Sequence, residues 1–388
     1  MLFDSAEHPR GWDRVVGQEK VKAFLRNALG NNRLAHAYLF SGPAGAGMDA
    51  AAIELARAVL CGAGTGEACG TCRHCRLSAR LQHPNLYLLF PLPVGRNEEA
   101  GEDPLALLTQ QEIEAVRRGV ELKSLDSYHT IMIPRANQIK VNSIRAMRRQ
   151  ASLGSFDEGR KIFLVLDAGK MTTEASNALL KTLEEPVPGT LIVLTTPDPD
   201  SLLPTVVSRC QHVRFDPLGE NEIAAALGAR SGIAAARIAM VAKLASGSFS
   251  AALRLAGEDL NAKRNAAVDM LRFFLHKPPR DVLELIRASA DAEKEETAEI
   301  LILLQTWLRD AMLLAAGRPV EVNADDAPTL EKFVRQYPSL DYASVCGSID
   351  RAVSDLRKNV YIHLVLHALR IDLRRAARAT QASIDANR

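Results

Sequence analysis

No run of about 18 apolar residues, the length a helix needs to cross a bilayer, occurs in this 388-residue sequence. The richest stretch, EILILLQTWL (Glu299 to Leu308), is too short and too interrupted. The opening segment MLFDSAEHPRGW has no basic region followed by an apolar core, so a secretory signal is not expected and a cytoplasmic location is, with no membrane partner. Excess charge is lacking too. Lys and Arg number 48 against 46 Asp and Glu, a formal net charge of +2, so no whole-molecule field marks a nucleic-acid binder and any DNA contact must be local. Cysteine is scarce outside one cluster. Of six cysteines, Cys210 and Cys346 stand alone, and Cys61, Cys69, Cys72 and Cys75 crowd together. In a reducing compartment such clustering favours metal over disulfide.

What is present is an ordinary globular composition, 47% hydrophobic and 24% charged, long enough for two or three domains. Up to about Phe215, short apolar runs closed by turn residues (HAYLFSG, TIMIP, KIFLVLDAG, TLIVLTTP) alternate with helical stretches such as AAAIELARAVL, VNSIRAMRRQA and EASNALLKTLEE. That alternation predicts a parallel sheet covered on both faces. Beyond Phe215 the β-type runs stop. An Ala-rich segment suits small packed helices, and AVDMLRFFLHK, DVLELIRASA, AEILILLQTWLRDAMLLAAG and LVLHALRIDLRRAARA carry apolar residues at helical intervals. The expected division is 1–215 α/β, 216–262 a small helical domain and 263–388 a larger helical one, with residues 91–128 an insertion between strands, read as a solvated loop with one surface helix.

Residues 42–50, GPAGAGMDA, sit between a strand and a helix, as a phosphate-binding loop does. Gly42, Gly45 and Gly47 suit a backbone that wraps phosphates, but a working loop then needs Lys and a hydroxyl residue. Here stand Met48, with no charge, and Asp49, with the wrong one. Two like charges about 4 Å apart repel by roughly 1 to 4 kcal/mol across the plausible dielectric range. The strand KIFLVLD ends in Asp167, a metal-holding position in such folds, but Ala168 follows where a catalytic carboxylate would polarise water. ATP is therefore not expected to be bound or hydrolysed. Cys61, Cys69-Gly-Thr-Cys72 and Cys75 offer four thiolates to one structural Zn²⁺, with His74 expected to be exposed rather than a ligand.

The segments VVGQEKVKAFLRNAL, AHAYLFSGPAGAG, the four-cysteine stretch, NALLKTLEEP, LTTPDPDSLLPTVVSRC and GSFSAAL together resemble the bacterial clamp-loader branch of the AAA+ family. The resemblance is clear over residues 10–255 and extends beyond only in helical character. That branch has ATP-hydrolysing motor subunits and a non-hydrolysing kind; Met48, Asp49, Ala168 and Ser250, the last standing where motors carry a nucleotide-sensing Arg, resemble the latter. The resemblance implies an α/β P-loop (AAA+) domain with a parallel sheet and a zinc module (61–75), then a helical lid and an all-α collar domain. It also implies a hetero-pentamer with gamma/tau and delta subunits that loads a sliding clamp onto primed DNA in replication. Arg209, in the intact Ser208-Arg209-Cys210, would be an arginine finger serving a neighbour's ATP. Insertion 91–128 lies outside the usual pattern. Thr195 and Thr196 match a γ-phosphate-sensing position, though strand-end polar groups explain them equally well. The basic stretch RAMRRQ (Arg145 to Gln150) is read as a solvated helix face before a DNA contact, and Trp307 as packing. Two alternatives stand beside this: a motor subunit with an unusual loop, and a zinc-containing nucleic-acid-binding regulator.

Overall fold

The computed structural model describes residues 11–93, 104–106, 108–153, 159–230, 233, 235–257, 259–278, 294–320, 322–323, 326–338, 340–358 and 360–386. They divide into two compact units, Met1–Ala256 and Gly257–Arg388.

The first unit is built on a five-stranded sheet in the order β2-β3-β4-β1-β5. Its strands are β1 (Ala37–Ser41), β2 (Leu86–Leu89), β3 (Lys161–Val165), β4 (Thr190–Thr196) and β5 (Gln211–Arg214), and every pairing is parallel. Every residue of β1, β3 and β4 is buried, which is why these strands read as continuous apolar runs rather than alternating ones. Alternate side chains serve opposite faces. Leu39, Phe163, Val165, Ile192 and Leu194 pack with Ile144, Met147 and Ala151 of α5 (Val141–Ser152) and with Ala175, Leu179 and Leu183 of α6 (Thr173–Glu184). Each of the fully buried Leu, Ile, Val, Phe and Met side chains stabilises by about 1.5–3 kcal/mol. Helix α2 (Met48–Leu60) is buried almost all round, a packing that its four alanines before Arg57 and small cross-section allow.

Two strands depart from expectation. TIMIP (Thr130–Pro134) is no strand: Ile133 is buried but Met132 is exposed, and the segment makes no ladder. The edge beside β3 is taken instead by Leu86–Leu89, paired in register with Ile162–Val165. Four residues with two buried positions give too little periodicity to see in the sequence. β5, Gln-His-Val-Arg, buries only Val213 and is likewise invisible as an apolar run.

The insertion contains a regular helix, α4 (Gln110–Leu125), started by a capping box in which Thr109 and Glu112 satisfy each other's backbone N–H groups. Its inner face is Val116, Gly119 and Lys123. The unit also contains α1 (Glu19–Gly30), α3 (Arg73–Ala79), the single turn α7 (Pro204–Val207) and the small helices α8 (Glu220–Arg230), α9 (Ala235–Leu244) and α10 (Phe249–Gly257).

The second unit is all-helical: α11 (Leu260–His276), α12 (Lys294–Ala315), α13 (Ala327–Gln336), α14 (Tyr342–Arg357) and α15 (Ile362–Ala386). EILILLQTWL lies in α12 as a core segment, with Leu301, Leu304, Trp307 and Leu308 buried. The Trp307 indole packs edge-on to Phe333 and donates to Asp326 Oδ2 at 2.9 Å, the packing role expected of it. Among the described residues no helix is long and apolar enough to cross a membrane. DVLELIRASA and the Pro-Gly-acidic start of the insertion (94–103) lie outside the described residues.

Candidate nucleotide cleft and metal centre

The loop after β1 emerges at the carboxyl edge of the sheet, where ligands of parallel sheets gather. Register places Ser41 beside Thr196 and Arg214, so the loop opens next to the end of β4. Gly47 caps α2 with φ +109°, and a Cβ there would sit 2.9 Å from Tyr128 Oη. Gly45 (φ +78°) lies against Ser248 and Ser250, and Gly42 against the backbone of Phe215. The glycines therefore keep the loop geometry, while protein atoms press on it where a ligand would approach.

The charged groups around the loop are each partnered. Met48 is buried. Asp49 accepts from Thr195 Oγ1 at 2.7 Å through Oδ1, and pairs with Lys123 Nζ at 2.6 Å through Oδ2. The Lys123 side chain is 2% exposed, so its ammonium is desolvated and depends on this partner. Thr195 also accepts from the backbone N–H of Asp167 at 3.3 Å. Asp167, at φ +55°, pairs outward with Lys170 at 2.8 Å, and Ala168 is fully buried. Thr196 Oγ1 donates to Asp198 O at 3.0 Å and accepts from Asp198 N–H at 3.2 Å.

Tyr128, at the end of the insertion, is buried against the loop at Gly47. Its Oη accepts from Val16 N–H at 2.8 Å, its backbone carbonyl accepts from Ser250 Oγ at 2.7 Å, and its ring packs edge-on to Phe249. Arg230 stacks its guanidinium over both rings, 5.6 Å from the centroid of Tyr128 and 4.8 Å from that of Phe249, and reaches Asp126 at 3.5 Å. Burial pushes the Tyr128 phenol up, so it stays neutral. Gln18 bridges Ala46 O and Asp216 O, and Phe249 N–H donates to Gly45 O at 2.9 Å. Sequence reading missed Lys123, Tyr128, Arg230 and Gln18. The Thr-x-x-Glu pattern at Thr109–Glu112 could have placed α4, but nothing local to Lys123 or Tyr128 announces a partner about 75 residues or more away.

Arg209 lies at the other edge. It precedes β5, and the four residues of that strand carry the chain roughly 13 Å to the loop's edge. Arg209 is paired with Glu184 Oε1 at 2.8 Å and donates to Thr205 O at 2.9 Å, with its side chain 36% exposed. It belongs to the amino edge and does not join the cleft of its own chain. Arg145, Arg148 and Arg149 of α5 are exposed.

The four clustered cysteines are brought together. Their sulfurs all lie within 4.8 Å of one another, and Cys69 Sγ is 3.8 Å from Cys75 Sγ. Zn–S bonds of about 2.3 Å in a tetrahedron put sulfurs about 3.8 Å apart, so the donor set fits Zn²⁺. Backbone N–H groups point at sulfur: Cys69 to Cys61 Sγ at 3.3 Å, Cys72 to Cys69 Sγ at 3.4 Å and Cys75 to Cys72 Sγ at 3.4 Å. The Cys69 thiol is held down to about 5 by the N–H groups of Cys72 and Thr71, while burial pushes Cys75 up. A divalent cation supplies the charge that lets all four bind as thiolates. His74 is half-buried rather than exposed, because its Nδ1 meets His83 Nε2 at 2.9 Å; it faces that ring and is no fifth donor.

A family model described as "DNA polymerase III, delta subunit" matches residues 17–219, more than half of the chain. The delta-prime subunit of Escherichia coli DNA polymerase III is 31% identical over 308 residues, 79% of this chain and 77% of that one. The chain belongs to the delta-prime family of DNA polymerase III subunits. The Bacillus subtilis delta-prime subunit is 32% identical over 201 residues, 52% of this chain and 48% of its own, so this chain spans about half the length of that relative. The gamma/tau subunit of Mycobacterium tuberculosis is 31% identical over 208 residues, but these are only 29% of its length. The fold is an α/β domain with a parallel five-stranded sheet and a four-cysteine module, followed by helices.

Proposed function

We propose that this chain is a non-hydrolysing stator subunit of the DNA polymerase III clamp loader. In this reading it sits in a hetero-pentamer with gamma/tau and delta subunits, which loads the sliding clamp onto primed DNA. The observation that carries it is the saturation of Asp49 by Lys123 and Thr195 where a triphosphate and its metal would have to enter. Bringing in ATP would mean stripping the buried Lys123 ammonium of its partner and opposing a carboxylate to phosphates. Arg209, partly exposed at the opposite edge, serves as an arginine finger for an adjacent gamma/tau ATP site. Residues 1–215 form the AAA+ domain, 216–262 the lid, and 263–388 the collar. Zn²⁺ on Cys61, Cys69, Cys72 and Cys75 is structural: four thiolates leave no position for a substrate.

The test has two arms. Calorimetric titration of the isolated chain with Mg-ATP gives no binding heat. In the reconstituted complex, Arg209→Ala leaves assembly intact and lowers turnover at the site it faces by about 10³-fold, the range of a trans-acting Arg. Tight Mg-ATP binding would favour the motor-subunit reading suggested by the gamma/tau similarity. Unchanged turnover would remove the finger. DNA affinity of the isolated chain, without partners, would favour the zinc-containing regulator.

A further inference from the structure

The insertion makes contacts that its reading as a solvated loop does not require. Helix α4 turns Lys123 inward, and the chain leaving it delivers Tyr128 to three walls of the cleft at once. The first wall is the entry segment, through Val16 N–H at 2.8 Å. The second is the loop itself, at Gly47. The third is the N-terminus of α10, through Ser250 Oγ at 2.7 Å and the Phe249 ring. Arg230 of α8 closes the stack from outside and is tied to Asp126, two residues before Tyr128. The helix is seated closely: a Cβ on Gly119 would lie 2.9 Å from Ile131 Cγ2.

In a phosphate-loop fold the ligand lies at the helix N-terminus that follows the glycines. That is the space between the start of α2 and the start of α10, and here both rims are bonded to the same insertion. We propose that α4 and Tyr128 act as a built-in substitute for nucleotide, filling the cleft and fastening α8–α10 to the sheet domain, so that their angle is fixed without any ligand. This rests on the reading that the loop binds no ATP. It adds what holds the domain rigid in its absence: a buried ammonium neutralises Asp49, and one aromatic residue joins the parts a nucleotide would otherwise bridge.

Hydrogen–deuterium exchange on the full-length chain tests it without any partner. Tyr128→Ala should speed exchange at least tenfold in residues 11–17 and 248–256, with zinc content unchanged. Tyr128→Phe, which keeps the ring, should speed mainly the Val16 amide. Lys123→Met should loosen residues 47–51. Arg118→Ala, on the outer face of α4, should change nothing. Millimolar Mg-ATP should leave wild-type exchange as it is. Wild-type protection in both Tyr128→Ala and Lys123→Met would overturn the proposal, as would wild-type protection that rises with Mg-ATP. If Tyr128→Ala does not fold, the Val16 amide in Tyr128→Phe and residues 47–51 in Lys123→Met decide it. Failure to assemble with gamma/tau and delta would sink the stator reading and leave the lock standing; unaltered exchange would do the reverse.

Discussion

The two edges of the sheet are furnished in opposite ways. At the carboxyl edge, Asp49 is held by Thr195 and by the buried Lys123, and Tyr128 by Val16 and Ser250, so the charge there is paired within the chain. At the amino edge, Arg209 stands partly in solvent on one carboxylate, an arrangement worth about 0–1 kcal/mol. Near the end of α2 that runs toward that edge, four sulfurs are grouped closely enough to share one metal ion. One edge has its needs met internally; the other, on the reading proposed above, serves something that comes from outside. On the reading proposed above, two motifs of one chain stand in opposite states: a glycine loop that serves as scaffold, and an arginine left available.

The largest perturbation should be metal removal, which strikes the open side. Chelation should lower the melting temperature by several degrees or more, because structural zinc binding is folding free energy, yet should leave the cleft closed to ATP. Calorimetry with and without restored zinc checks this; equal melting temperatures would mean that the thiols stand without metal. Next is the sealed side. Asp49→Ala strands the Lys123 ammonium in the interior and should cost about 3 kcal/mol in urea unfolding, whereas Lys123→Met, which removes the buried charge itself, should cost far less. Equal costs would mean that the pair is not desolvated as a unit. The smallest effect concerns pH. His129 sits beside the seal with its pKa lowered by burial and by Lys123, so the unfolded state takes up its proton first. Its stabilising contribution is complete above the unfolded value of about 6.5 and declines as pH falls through it. His129→Gln should flatten part of that slope, leaving the share of His212, lowered by burial and Arg214.

What could be read in the sequence was what is local. β1, β3 and β4 are legible because burial on both faces writes an unbroken apolar run, and the cysteines because their spacing alone brings donors together. The edge strands Leu86–Leu89 and Gln211–Arg214 are not, since four half-buried residues carry little pattern, and TIMIP misleads because one buried side chain, Ile133, anchors an apolar segment with no ladder. In the cleft, the missing Lys and hydroxyl are evident at Met48 and Asp49. Their replacement is not, because Lys123 and Tyr128 come from another part of the chain and their meaning depends on a register that only folding sets.

The separation of Arg209 from the loop of its own chain, by the length of β5, has a consequence in the language of polymerisation. In a head-to-tail row of such domains, each member would offer a finger on one side and accept one on the other. A member with a finger but a sealed acceptor can be joined in one direction only. On the stator reading it is a chain terminator: it sets where the row of working sites ends, and so how many there can be.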